Sequence, residues 1–125
     1  MPVQPGLAAT IELKVSDDDT ALALGSGSVP VLATPRLIAL CEEATVRAID
    51  GYLAADHTSV GMRVQLDHLA PTAVGELVSA EATLERVEGK RLVFTVSVTD
   101  HRGLIAAGKV TRVVVETARF LDKCT

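Results

Sequence analysis

Residues 31–53 read VLATPRLIALCEEATVRAIDGYL. This is the only long segment of the 125-residue chain with helical periodicity, and nearly everything after it alternates as strands do. Thr34 and Pro35 supply an N-cap hydroxyl followed by a proline where the first turn tolerates one. Gly51 offers a C-terminal stop. Spacing the residues at about 100° gives three zones. Leu37, Leu40, Cys41, Ala44 and Ala48 form an apolar stripe, and Arg36, Glu43, Arg47 and Asp50 a solvated one. Glu42 falls in neither: its neighbours on the wheel are Ile38, Val46, Ile49 and Leu53, with Thr45 beside it. One of two adjacent glutamates thus points into an apolar flank. A carboxyl flanked by aliphatic side chains is desolvated, which raises its pKa and suits it to act as general base or nucleophile near neutral pH.

Outward from the helix, residues 59–68 (SVGMRVQLDH) alternate, with Val60, Met62, Val64, Leu66 and His68 expected on one face. Ser59, Gly61, Arg63, Gln65 and Asp67 are expected on the other. His68 is then the last inward residue of an otherwise apolar strand face, on the side where the helix packs. Gly61 within a strand lets a ligand or backbone approach closely. Residues 76–88 place Val78, Ala80, Ala82 and Leu84 inward. Glu88-Gly89-Lys90 makes a hairpin, and residues 91–99 return with Leu92, Phe94, Val96 and Val98 on one face. Residues 104–117 form a last strand with Gly108 as a bulge position. Before the helix, TIELKVS (10–16) is a first strand, and residues 20–33 form a surface loop that is either a linker to the helix or a lid over a ligand, with position alone deciding neither. The expected order is strand, loop, one long helix, then four strands in a meander, all in one domain over residues 1–125. One helix cannot cover five strands, so a second copy of the chain is expected to cover the remainder.

Composition removes several classes of function. A net charge of −4, no basic cluster, and Tyr52, Phe94 and Phe120 as the only aromatics argue against nucleic-acid binding. No apolar run reaches the roughly 20 residues that span a bilayer, and MPVQPGLAAT lacks the regions of a signal peptide. A cytoplasmic protein with no membrane partner is expected. Cys41 and Cys124 lie far apart and outside any ligand spacing, and Asp17-Asp18-Asp19 lacks the rest of a calcium loop, so no metal site is expected. His57 and His101 sit in polar surroundings and are expected at the surface.

With these residues in place, the sequence resembles the hotdog-fold thioesterases, most closely their fluoroacetyl-CoA thioesterase-like subgroup. The resemblance rests on LATPRLIALCEEATVRAI at the helix, TSVGMRVQLDHLAPTAVGE at the strand that follows, and VEGKRLVFTVSV across the hairpin. It implies an α+β hotdog fold: one long central helix wrapped by a curved, mainly antiparallel five-stranded sheet, in a homodimer or a tetramer of two such dimers. It implies hydrolysis of a small acyl-CoA thioester to free acid and CoA, with CoA as part of the substrate and no cofactor. The family's helix-start threonine falls on Thr34, its helix glutamate on Glu42, its strand histidine on His68, and the glycine near the acyl group, contributed across the dimer, on Gly61. Together these imply a Glu/His/Thr site at the dimer interface. Lys90, Arg91 and Arg63 are the cations available for the CoA phosphates. Where fluoroacetate-specific members carry aromatics in a lid before the helix, this chain reads GSGSVPV, so that specificity is not carried over. A non-catalytic acyl-CoA or small-metabolite binding module on the same fold is the alternative.

Overall fold

The computed structural model describes residues 2–125. The first strand, β1, covers Ala8–Lys14 and leads through a 3-10 turn at Asp17–Asp19 into a four-residue helix, α1, at Ala21–Leu24. The long helix, α2, runs Thr34–Ala48. Four strands follow: β2 (His57–His68), β3 (Leu77–Glu88), β4 (Arg91–Asp100) and β5 (Gly103–Glu116). A short helix, α3, closes the chain at Thr117–Asp122. Among the described residues no helix is long and apolar enough to cross a membrane.

The helical stripe read from the sequence is the buried stripe. Leu37, Leu40, Cys41 and Ala44 have at most 1% of their surface exposed, and burial pushes the Cys41 thiol up to about 11. They pack chiefly over β1 and β3, where Val78, Ala80, Ala82 and Leu84 alternate into the same core. The small side chains of Ala80 and Ala82 let the helix lie close to the sheet, and Phe94, Val96 and Val98 extend the core across β4. Removing each such side chain from water contributes about 1.5–3 kcal/mol for the larger aliphatics and Phe. The helix stops where expected: Ile49 leaves helical geometry and Gly51 takes φ +84°.

The sheet is five-stranded and antiparallel throughout, as the α+β reading requires, but its order is β1-β3-β4-β5-β2. The expected four-strand meander is therefore corrected. Only β3, β4 and β5 are joined as neighbours in sequence; β2 pairs with β5 and β1 with β3. Hairpin turns are visible locally, at Gly89 (φ +62°) and Gly103 (φ +123°), whereas the long β2–β3 connection fixes nothing until the sheet assembles.

Two strand details also differ. Gly108 is not a bulge: it pairs with Val96 on one side and Leu66 on the other. A Cβ there would run into the Gln65 carbonyl oxygen and Leu66 Cα, so glycine is present to let β2 approach β5. The register shift lies instead in β2, between Gly61 and Arg63, leaving Met62 as the extra residue. An extra residue inverts the alternation on either side of it. Val64 and Leu66 remain packed on the core and Met62 is exposed, but Gly61, opposite Arg112, now faces the helix side. The expectation that Gly61 and Ser59 face away from His68 is corrected by this one residue.

The segment 20–33 is more structured than a loop. Thr20 accepts a hydrogen bond from the Ala23 amide to start α1, and Thr20 bridges to Leu32 and Val31 to Ala73. Leu32 and Ala33 are buried, whereas residues 25–30 are exposed. Asp19 accepts hydrogen bonds from the Ser16 amide and hydroxyl and from Arg36 Nε (2.9 Å), which ties this segment to the first turn of α2.

Candidate active site

Two groups of side chains lie along α2. The first is at its start. Ala33, not Thr34, is the capping residue, and Pro35 follows within the first turn. The expected N-cap role of Thr34 is thereby corrected, and the physical reason is visible. The hydroxyl does not bond to the helix amides; Thr34 Oγ1 lies 2.8 Å from His68 Nδ1, in a single hydrogen bond between helix and strand end. His68 Nε2 is sealed from solvent without a hydrogen-bond partner. Burial pulls the imidazole pKa below its ordinary value, the Ala70 backbone acting in the opposite sense. A neutral imidazole with one nitrogen engaged and the other free can take up or deliver a proton. Thr34 and His68 line a cavity of about 330 Å³ whose other wall includes Ala21, Gly27, Val29 and Val31 from the segment before the helix.

The second group lies two turns further along. Glu42 projects onto β2, so close to Gly61 that any Cβ at that position would collide with Glu42 Oε2. Facing it from β5 is Arg112, only 6% exposed. Arg112 Nε donates to Ser59 Oγ at 2.8 Å, Nη2 donates to the Ser59 carbonyl at 3.0 Å, and Nη1 stands 3.6 Å from Glu42 Oε2. Two short bonds thus fix the guanidinium plane, and the remaining nitrogen is turned toward the carboxylate in a longer ionic contact. Burial lowers the Arg112 pKa and the Glu42 charge partly restores it. The expected aliphatic surroundings of Glu42 are corrected in part: Val46 is exposed, Ile38 is half-buried, and a cation occupies one side.

Sequence reading passed over Arg112. The available signal was alternation in β5, where Val110 is fully buried and Arg112, two residues on, takes the same face. A charged residue on the inner face of a sheet calls for a partner. Ser59 was hidden for a different reason, since the bulge at Met62 is what turns it inward.

The two groups are separate within one chain. Thr34 and Glu42 are eight helical positions apart, about 12 Å along the axis. Among the described residues no hydrogen bond or ion pair joins one group to the other. The other histidines fall outside: His57 pairs with Asp56 at 2.7 Å, and His101 is 64% exposed in its turn. Glu76, Asp100 and His101 do bring donor atoms together. However, Arg102 Nη2 lies 3.7 Å from both carboxylates, so a guanidinium already answers their charge.

The sequence profile described as fluoroacetyl-CoA-specific thioesterase matches residues 15–118, a span that holds both groups. The chain belongs to that family. It is 37% identical over 93 residues to the fluoroacetyl-CoA thioesterase of Streptantibioticus cattleyicolor, covering 74% of this chain and 67% of the relative. A solved structure of the fluoroacetyl-CoA thioesterase FlK superposes with a TM-score of 0.93 at 30% identity, over 99% of this chain and 96% of that one. A thioesterase superfamily member from Thermus thermophilus gives 0.88 at 27% identity, over 97% and 90%. A hot-dog-like protein from Thermanaerovibrio acidaminovorans gives 0.89 at 30% identity, over 96% and 89%. The fold of this family member is accordingly the hotdog thioesterase fold expected from the sequence.

Proposed function

We propose that this chain hydrolyses a small acyl-CoA thioester to the free acid and CoA. The observation that carries this reading is the pose of Glu42, pressed against the backbone at Gly61 and faced by a buried guanidinium. A carboxylate in that position acts directly on the thioester carbonyl or draws a proton from an attacking water. The C–S bond then breaks, and the CoA thiolate leaves and takes up a proton; with water as the attacking group the acid is formed directly, and with Glu42 as the attacking group water then hydrolyses the acyl–Glu42 anhydride, releasing the acid and restoring the carboxylate. His68 moves that proton, and Thr34 holds the imidazole through Nδ1. Arg112 steadies the charge on Glu42 through the cycle.

The 12 Å helical offset between Thr34 and Glu42, about two turns, supports a site completed by a second copy of the chain. In a homodimer the two groups meet across the interface, with Gly61 contributed beside the acyl group. CoA enters as substrate, no separate cofactor is used, and the reaction belongs to the cytoplasm.

The test is thiol release from a panel of short acyl-CoAs, with Glu42→Gln and His68→Ala compared against the parent protein. Each variant should lose roughly 10²–10⁴-fold in turnover, the contribution of a positioned acid–base group. Near-normal turnover in both variants would end the assignment of Glu42 and His68, and saturable binding with no thiol release by the parent would assign the chain instead to the binding-module reading.

A further inference from the structure

The Glu42 carboxylate has a charged neighbour but no hydrogen bond. Among the described residues no donor bonds to its oxygens; Thr45 Oγ1 donates to the Glu42 backbone carbonyl instead, at 2.6 Å. The cation beside it is Arg112, whose Nη1 stays 3.6 Å from Oε2. An arginine and a carboxylate with nothing between them close into a fork, with bonds of about 2.7–2.9 Å. Such a fork would occupy the lone pairs that a base or nucleophile has to offer. Two opposite charges out of bulk water attract strongly, so something must hold them apart.

Ser59 is placed to do so. Both of its oxygens accept from Arg112, Oγ from Nε at 2.8 Å and the carbonyl from Nη2 at 3.0 Å. Nε and Nη2 lie on one edge of the guanidinium, so the two bonds pin that edge to β2 and leave Nη1 toward Glu42. The bond to the carbonyl would survive any substitution at position 59, but alone it is a pivot. The hydroxyl is the second point that stops rotation. The backbone is shaped to deliver it: the register shift at Met62 turns Ser59 and Gly61 together to the helix side. Bulges beside active sites re-aim side chains in this way.

We infer that Ser59 is a positioning residue that holds Arg112 back from Glu42. The carboxylate thereby keeps a positive neighbour and still has its lone pairs free to react. Without the hydroxyl, Arg112 swings about its remaining bond to the Ser59 carbonyl and closes on Glu42. The inference rests on the thioesterase reading for the reaction it serves, but one arm of its test does not depend on turnover.

Ser59→Ala and Ser59→Thr are compared with the parent protein. Ser59 is half-buried and borders a hollow of about 290 Å³ that runs past the end of α2. The alanine variant therefore seals no polar group away from water, and the extra methyl of threonine has room. On the best short acyl-CoA, Ser59→Ala should lower kcat roughly 10–100-fold with KM little changed. Ser59→Thr, which keeps the hydroxyl, should recover most of that loss. A parent-like kcat in Ser59→Ala, an equal loss in both variants, or a loss carried by KM alone overturns the inference. Crystal structures of the parent and of Ser59→Ala supply the second arm. The Nη1–Oε2 distance should shorten from 3.6 Å to about 2.8 Å in the variant; an unmoved guanidinium overturns the inference. If the parent releases no thiol from any acyl-CoA, the thioesterase reading fails on its own, and that distance alone decides whether Ser59 keeps the pair apart.

Discussion

His68 carries the pH dependence that the site should show. Its pKa is depressed because burial disfavours the charged imidazolium. The proton is thus held more weakly in the folded chain than in the unfolded one, whose histidine titrates near 6.5. Above that value both states are neutral and the native state keeps its full stability. As the pH falls through 6.5 the unfolded state takes up a proton first and stability declines. In the proposed mechanism the same shift sets the acid side of the rate profile. The acid limb of kcat/KM should fall below 6.5, and His68→Asn should abolish that limb in whatever activity survives. An acid limb centred above 6.5 would contradict the role given to this ring. Arg112 and Ser59 act at the same scale. The guanidinium is buried with two hydrogen bonds to a single residue, so its direction is set before any substrate arrives.

The secondary-structure elements show which residues could be read in advance. Gly108→Ala tests the closest contact between two of them, because the new methyl group meets the β2 backbone, which cannot turn aside as a side chain would. Such overpacking should cost about 1–3 kcal/mol in urea unfolding; a neutral result would mean that β2 and β5 are free to separate. The stripe on α2 and the inward rows of β3 and β4 were legible because helical and strand periods act over a few residues. What was not legible depends on distant partners. Met62 becomes an extra residue only against the β5 register, and only then do Gly61 and Ser59 turn inward. The Thr34 hydroxyl serves the imidazole because His68, 34 residues away, reaches it. The strand order was likewise closed to local reading, since both neighbours of β2 in sequence lie elsewhere in the sheet.

At the scale of the whole molecule, β2 is an edge strand of 12 residues, and it carries Gly61 in its middle. Edges of that length are rarely left open. Sedimentation should give a mass of at least twice the 13.1 kDa chain. A strictly monomeric protein with full activity would rule out a site shared between copies. The stretch ahead of α2 has a further consequence. It is moored at one end by Asp19 and Arg36 and at the other by the buried Leu32 and Ala33. Between these moorings the nine residues 22–30 are solvent-facing throughout. That span therefore behaves as an interchangeable cassette beside the Thr34 cavity: chimaeras could trade it for bulkier or tighter inserts and retune which acids are released, while the scaffold beneath stays as it is.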